Sequence, residues 1–583
     1  MSLGGALNIG RSALNASQLA IQVTGNNVAN ASTAGYSRQV VGLNPTGDGR
    51  FGNAFIGRGV DVSGIRRQAD SALQQRLWSS LSQEGRANSD LNLLSNVETA
   101  LDPLGNNNLA ARLGSFFNSW SNLADQPGTA GNRSLVVQSG RQLASYVRDL
   151  RANLVSQRDQ VDTNLQVTTV RANDLLDQVA SLNTQIVLAE GGQGESGALR
   201  DQRDALVTEL SKLVDVTPLP QQNGTLDLLV GSTPVVLAGR SRGVELKTTT
   251  VNGATQIAVV TKDNKETLPI AQGELGSLLN QRTELVNDAI VKLDEIATNL
   301  IARVNRLHSV GTSSTPLRSA TGTLSFGTSD QPLAFNDPAN QTISALPPAL
   351  RPESGSFTVT VTNTATGAQQ SRTIQIDLDG IDNTFAPGFT DDTSLDDLRL
   401  AFNGISNLSA SVTADGKLKI DAATGYEITL SDDTSGVLAA LGINTYFKGK
   451  DAQDIMVRDE LSADPNLINA GQVVKGSPSA NGTAMAIAGL RTERIKNLGN
   501  VTLTDRWDQT VQNIAVRTSA AKTNAGATRV VRENLDAQRS SLSGVSLDEE
   551  AINLLSYQRA YQASARFIST VDELTQSLLS IIR

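Results

Sequence analysis

The sequence predicts a mainly α chain with inserted β: N- and C-terminal helices forming a coiled-coil inner domain, a discontinuous long-helix bundle domain, and an inserted β-rich outer domain. Three patterns predict it. Apolar residues recur at heptad spacing at both ends, long helical periods fill most of the interior, and residues 311–450 replace that period with short alternating runs. The segments in order are 1–65 (an N-terminal axial helix with the loop and strand segment after it), 66–310 (helical bundle with a small β excursion near 217–262), 311–450 (inserted β-rich outer domain), 451–543 (return to the bundle) and 544–583 (C-terminal axial helix).

The first 37 residues hold one charge, Arg11, while Leu7, Leu14, Ile21 and Val28 recur every seventh position. At about 1.5 Å per residue, a helix over 3–30 is a rod of roughly 40 Å ending in the turn-forming run Asn30–Gly35. At the other end, Ser546 and Glu549 have capping-box spacing, and Asp548, Glu549 and Glu550 suit the positive end of a helix dipole. From there Tyr557, Ala560, Ser564, Phe567, Val571, Leu574, Leu578 and Ile581 keep one seam, widened by Leu554, Tyr561 and Ile568. Such an apolar face must bury against another helix, and the far terminus is the obvious candidate.

Between the ends, residues 66–101, 109–125, 132–190, 198–215 and 273–308 read as helices. In the longest of these, Leu143, Val147, Leu150, Leu154, Val161, Leu175, Val179, Leu182 and Ile186 fit one heptad frame. The 311–450 block holds 7 of the 16 prolines and 8 Lys and Arg against 15 Asp and Glu, so it carries −7 of the chain's −9. Phe357, Val359 and Val361 alternate with Thr, and Asp415-Gly416 reads as a hairpin turn. Helical pattern resumes at about 485–540.

The inventory excludes much chemistry. Among 583 residues there are 0 Cys and 1 His, so no disulfide, thiolate nucleophile, zinc–thiolate site or multi-histidine metal site can form within one chain. A net charge of −9 argues against binding nucleic acid or an anionic membrane. No apolar run reaches the ~18–20 residues of a membrane span, and the N-terminus lacks the pattern of a cleaved signal peptide.

The remaining motifs have plain structural readings. His308 closes a helix before Gly311, a place that suits a partly cationic imidazole. Ser519-Ala520-Ala521-Lys522 has serine–lysine enzyme spacing, but its companion motifs are missing and it lies in a helical pattern. Asp377, Asp379 and Asp382 surround Gly380 as in a calcium loop, yet Ile381 stands where an oxygen ligand is needed, so the segment reads as a β-turn. Gly57-Arg58-Gly59 precedes a strand pattern rather than a helix, against phosphate binding. No catalytic, cofactor-binding or metal residue is assigned.

Residues 26–41, NNVANASTAGYSRQVV, and 544–568, GVSLDEEAINLLSYQRAYQASARFI, resemble the N- and C-terminal signatures of the bacterial flagellar axial family of rod, hook and hook-associated proteins. The Tyr36-Ser37-Arg38-Gln39 continuation and the SLDEE run resemble its hook–filament junction branch, as do interior segments 199–216, 274–311 and 441–457. The resemblance is weakest over 311–440.

The resemblance implies a structural subunit rather than an enzyme, with no cofactor. It would be exported unfolded through the flagellar type III apparatus without a cleaved signal and act at the hook–filament junction outside the cell. Its implied partners are other copies of itself, the hook protein, hook-associated protein 3, and a cytoplasmic chaperone holding the C-terminal helix. Leu7, Leu14, Ile21, Val28, Leu554, Tyr561, Ile568, Leu574 and Leu578 are then assigned to packing of the inner helices. Asn27, Asn30, Thr33, Gly35, Tyr36, Ser546, Glu549 and Tyr557 match the signatures, with Gly35 and Tyr36 shaping the turn after the first helix. The alternatives are another axial subunit, such as hook protein or hook-associated protein 3, or an adhesin or enzyme carried on an axial scaffold.

Overall fold

The computed structural model describes residues 3–51, 54–102, 105, 107–191, 194–251, 254–382 and 384–582. They form two compact units, both discontinuous in sequence: residues 1–94, 160–282 and 518–583 make the first, and 95–159 with 283–517 make the second.

In the first unit, helix α1 (Leu3–Ala29) leads into an antiparallel ribbon of β1 (Gln39–Pro45) and β4 (Val60–Arg67), with a short hairpin of β2 (Gly49–Phe51) and β3 (Ala54–Ile56) between them. α2 (Ser71–Leu101) starts where the Asp70 carboxylate accepts the backbone N–H groups of Ala72 and Leu73 at 2.9 and 3.1 Å. The unit's core joins Leu73, Leu77 and Trp78 of α2 to Leu165, Leu176 and Val179 of a 61-residue helix, here α4 (Ala130–Glu190). Val207 and Leu210 of α5 (Gly197–Leu213) complete that layer.

Residues 217–261 of the first unit are mostly strand. They form a four-stranded antiparallel sheet that includes β5 (Thr217–Pro220), β6 (Leu226–Val230) and β7 (Thr233–Leu237), followed by the hairpin β8 (Val244–Val251) and β9 (Ala254–Thr261). α6 (Gly273–Gln281) packs Leu275 and Leu278 into the same core. The unit ends in the C-terminal part of α9 (Leu503–Ser543) and in α10 (Leu547–Ile582).

In the second unit, α3 (Leu109–Asp125) is capped by Asn108, whose side chain accepts from Ala111 N at 3.0 Å. Its Phe116 and Trp120 stack with Tyr446 and Phe447, the last two rings 4.7 Å apart and perpendicular. α7 (Asp288–Ser309) presents His308 to the same cluster, at 6.2 Å from the Trp120 ring. The inserted block has two antiparallel sheets. One orders β11 (Gln369–Ile376), β10 (Gly355–Asn363) and β14 (Tyr426–Ser431); the other contains β12 (Leu408–Val412) and β13 (Leu418–Ala422). Gly416 turns the expected hairpin with φ +77. Between the sheets, α8 (Leu395–Asn403) buries Leu395, Leu398 and Phe402 behind a reciprocal Ser394–Asp397 capping box.

Two expectations are corrected. The helical pattern expected over about 485–540 is interrupted: a short helix over Gly482–Gly489 stops, and after the left-handed Gly499 (φ +83) and Asn500 (φ +63) a second helix starts at Leu503, capped by Thr502 and Asp505. His308 is not a partly cationic helix-end residue. It is fully buried, its Nδ1 bonded to Asn444 O at 2.8 Å and its Nε2 accepting from Asn469 N at 3.1 Å, and burial lowers its pKa to about 4. Ser519 and Lys522 lie within α9, as a helical reading requires.

Candidate assembly interface

α1 and α10 run antiparallel. A side chain added at Gly10 would meet Ile568 Cγ1 at 2.7 Å and Phe567 Cδ1 at 3.1 Å, while Asn27 Nδ2 reaches Glu550 Oε2 at 3.1 Å. A glycine at position 10 therefore sets how closely the two helices approach. Buried positions on α1 are Gly10, Ala16, Ser17, Ala20, Val23, Thr24 and Asn27, small or polar residues that let α10 and the β1–β4 ribbon come near. Positions 10, 17, 20, 24 and 27 keep a seven-, three- and four-residue step, so the covered seam is a heptad seam of small side chains.

The larger apolar residues emphasised by sequence flank this seam rather than form its centre. Leu7, Leu14 and Ile21 are half-buried and Val28 is exposed. On α10, Leu554, Tyr557 and Ile568 are half-buried and Val571 is buried, whereas Tyr561 sits at the edge of exposure. Leu547, Ile552, Leu555, Phe567, Leu574, Leu578 and Leu579 are exposed. The side chain of Ile581 lies outside the described residues.

The junction between the two helices is organised around Asn27, which is 1% exposed. Its Nδ2 donates to Gln39 O at 2.8 Å and to Glu550, and its Oδ1 accepts from Gln39 N at 3.0 Å and from the Tyr36 hydroxyl at 2.8 Å. The turn that brings Gln39 back onto Asn27 is built locally. Asn30 donates to Asn26 O at 3.0 Å, Thr33 Oγ1 bonds Asn30 Oδ1 at 3.3 Å, and Gly35 takes φ +82, a conformation costly for other residues. Burial raises the Tyr36 pKa, with Asp201 and Glu550 adding to the rise, so the phenol stays protonated as the donor to Asn27.

Arg38 then ties the turn to α10. Its guanidinium meets Glu549 Oε2 at 2.9 Å and Glu550 Oε1 at 2.7 Å, and its backbone N–H donates to Ser543 O at 2.9 Å. Glu550 has a 2% exposed side chain, so this is a buried charge held by a cation and an amide, a pair that is costly to break on one side only. Ser546 Oγ accepts from Glu549 N at 3.5 Å, but the Glu549 carboxylate is taken by Arg38, so only one arm of the expected capping box is in use. Arg67, on β4, is likewise locked to Asp201 and Asp204 of α5 at 2.7 and 2.9 Å. A cleft of about 1130 Å³ beside the turn is lined by these same paired groups.

Sequence reading placed Asn27, Asn30, Thr33, Gly35 and Tyr36 together, and the structure joins them in one hydrogen-bonded turn. It missed Arg38 and Glu550. Glu550 read as one of three dipole-compensating acids, and nothing in the local pattern separates the buried one from its exposed neighbours. The small-residue seam was legible at its heptad spacing but was hidden behind the larger leucines.

Elsewhere, Asp377, Asp379 and Asp392 bring carboxylate oxygens within 4.8 Å of one another, while Asp382 turns inward to accept from Thr384 N and Ala386 N at 2.8 and 3.0 Å. No helix among the described residues is long and apolar enough to cross a membrane.

The chain is similar to known flagellar proteins. Residues 94–323 match a model described as the flagellar hook-associated protein FlgK helical domain. Residues 537–581 match the flagellar basal body rod FlgEFG protein C-terminal model, and 7–36 match the flagella basal body rod protein model. The chain is 27% identical over 590 residues to flagellar hook-associated protein 1 of Salmonella typhimurium strain LT2, covering 99% of both chains. It is 25% identical over 588 residues to the protein of that name from Escherichia coli K12, again over 99% of both, and 25% identical over 584 residues to that of Bacillus subtilis 168, over 98% and 97%. The flagellar hook junction protein FlgK from Burkholderia pseudomallei aligns over 80% of this chain and 100% of its own with a TM-score of 0.49 and 16% identity.

Proposed function

The chain belongs to the flagellar hook-associated protein 1 family and has a structural role in the bacterial flagellum, and from that premise we propose that it assembles with other copies through the outward faces of α1 and α10. The reading is carried by one observation: the α1–α10 pair buries small and polar residues of α1 inward and leaves an apolar stripe on α10, Phe567, Leu574 and Leu578 at steps of seven and four, facing solvent. Isolated exposed apolar residues need no explanation, but a stripe along one helix does. Neighbouring copies that cover it would recover roughly 1.5–3 kcal/mol for each fully buried leucine. On α1, Val28 is exposed and Leu7, Leu14 and Ile21 are half-buried, so part of each remains for a neighbour to cover.

In this reading the protein leaves the cell through the flagellar type III apparatus, joins the hook protein below, and receives hook-associated protein 3 above. A cytoplasmic chaperone covers the α10 stripe before export, which keeps an aggregation-prone surface out of contact. The absence of cysteine supports passage and dense packing without thiol cross-linking.

Leu574→Asp tests it. Leu574 is 56% exposed, so the purified chain should keep its stability to within about 0.5 kcal/mol, as for other surface substitutions. Assembly should fail, because a carboxylate enters a surface that neighbours must dry. Electron microscopy of cells carrying the variant should show hooks without filaments; normal filaments would overturn the terminal-helix reading.

A further inference from the structure

The inserted block carries an exposed loop whose chemistry the terminal helices do not use. Phe385 is 92% exposed and has φ +62, a left-handed conformation that costs an aromatic residue roughly 1–3 kcal/mol. The loop is nonetheless held firmly. Phe385 N donates to Asp382 O at 2.8 Å, Asp382 N to Ala386 O at 2.8 Å, and Gly388 N to Gly380 O at 3.0 Å, while Asp382 Oδ1 accepts from the Thr384 hydroxyl at 2.6 Å. Ile381 and Phe389 are exposed beside it. Around these three apolar side chains, residues 377–397 contain seven Asp and no Lys or Arg. An exposed aromatic side chain among carboxylates has the chemistry to fit a hydrophobic hole with a basic rim.

The same unit contains such a hole. A groove of about 730 Å³ runs along α4 and the 456–465 segment, floored by Val137, Ala144, Met456, Val457 and Pro465. Its volume falls in the range of about 300–1,000 Å³ of clefts that take a drug-sized ligand, so it has room for an aromatic side chain. Arg141 and Arg148 stand on it. Arg141 is exposed and makes no hydrogen bond or ion pair among the described residues, and Arg148 spends one donor on Ile455 O at 3.3 Å. The groove's acid, Asp459, is held by Lys448 at 2.7 Å.

We propose that the Phe385 loop of one copy seats in the Arg141–Arg148 groove of a second copy. The occupant is another copy because the complementary surface is on this chain, and in a homopolymer every neighbour presents it. Knob and groove are different patches, so each copy offers one of each and the contact links copies head to tail rather than closing a pair. The inference rests on the self-assembly proposed above and adds to it a contact made by the second unit, outside the terminal helices. A sugar ligand fits less well, because Asp379, Asp382 and Asp392 already spend oxygens on the loop's own N–H groups while their charge persists.

The chain lacks cysteine, so single introduced thiols report the contact cleanly. Full-length Ala386→Cys, an exposed position that leaves Phe385 in place, is mixed with full-length Gln138→Cys, an exposed groove-lining position, under mild oxidation. Disulfide-linked heterodimers should form about tenfold more than with Ser371→Cys as partner, and adding Arg141→Glu to the groove chain should remove most of that excess. Equal yields with both partners would overturn the proposal. Repeating the mixture with Leu574→Asp in both chains separates the two readings. Cross-linking that persists while assembly is lost supports both, and assembly of the two cysteine-bearing chains without the 386–138 cross-link overturns the groove contact alone.

Discussion

Asn27→Ala removes the side chain that holds the α1–α10 junction together, and its cost can be worked from the bonds it makes. Three are to neutral partners, Gln39 N, Gln39 O and the Tyr36 hydroxyl, and one is to the Glu550 carboxylate. A neutral bond contributes about 1 kcal/mol net and a bond to a charged group about 1.5–3 kcal/mol, with an added cost when the abandoned partner stays buried. Allowing for water reaching part of the turn, the junction should lose roughly 3–5 kcal/mol.

Because this is local, hydrogen exchange is the fitting assay. The Gln39 amide and the amides of the first turn of α10 should exchange about two to three orders of magnitude faster, while amides around Trp120 in the second unit stay unchanged. Asn27→Asp provides a second arm. It keeps an acceptor for Gln39 N and Tyr36 but sets a carboxylate against Glu550, so its defect should be larger at neutral pH than at acid pH. Less than a tenfold change in exchange for Asn27→Ala would refute the reasoning.

Two further outcomes follow from the packing. His308 has its folded pKa depressed to about 4 from 6.5, so the unfolded chain binds the proton first; the stability from keeping the ring neutral is complete above pH 6.5 and is lost as pH falls to about 4, up to about 3 kcal/mol. His308→Gln should flatten the stability–pH curve in that window by about one proton, and an unchanged slope would show that other groups set it. Gly10→Leu places a side chain where Ile568 and Phe567 now pack and should cost about 1–3 kcal/mol, read as faster proteolysis of α1 than in the parent. Equal proteolysis would mean that the helices do not approach closely at this point.

Most of the helical framework was legible before the structure, because long amphipathic periods and caps are local signals. The expected helices over 109–125, 132–190 and 198–215 appear as Leu109–Asp125, Ala130–Glu190 and Gly197–Leu213. Where the reading failed, a local break was overlooked: one helix stops at Gly489, and past the left-handed pair Gly499-Asn500 Thr502 starts another. α8 was hidden for the opposite reason, since its 9 residues are too few for a period and it shows itself only through the Ser394–Asp397 cap.

The sequence by itself determined the chemistry this chain cannot do, the positions of its long helices and the turn chemistry of residues 26–39, since each depends on residue type and near neighbours. Only the tertiary structure decided which face of α1 is covered and which carboxylate of Asp548, Glu549 and Glu550 is buried. A heptad period says that a helix has an apolar stripe, not which stripe its partner takes. Here the closest approach of two backbones selects the small side chains of Gly10, Ser17, Ala20 and Thr24, leaves the larger leucines half-buried beside them, and places Asn27 where Tyr36, Gln39 and Glu550 converge on one amide.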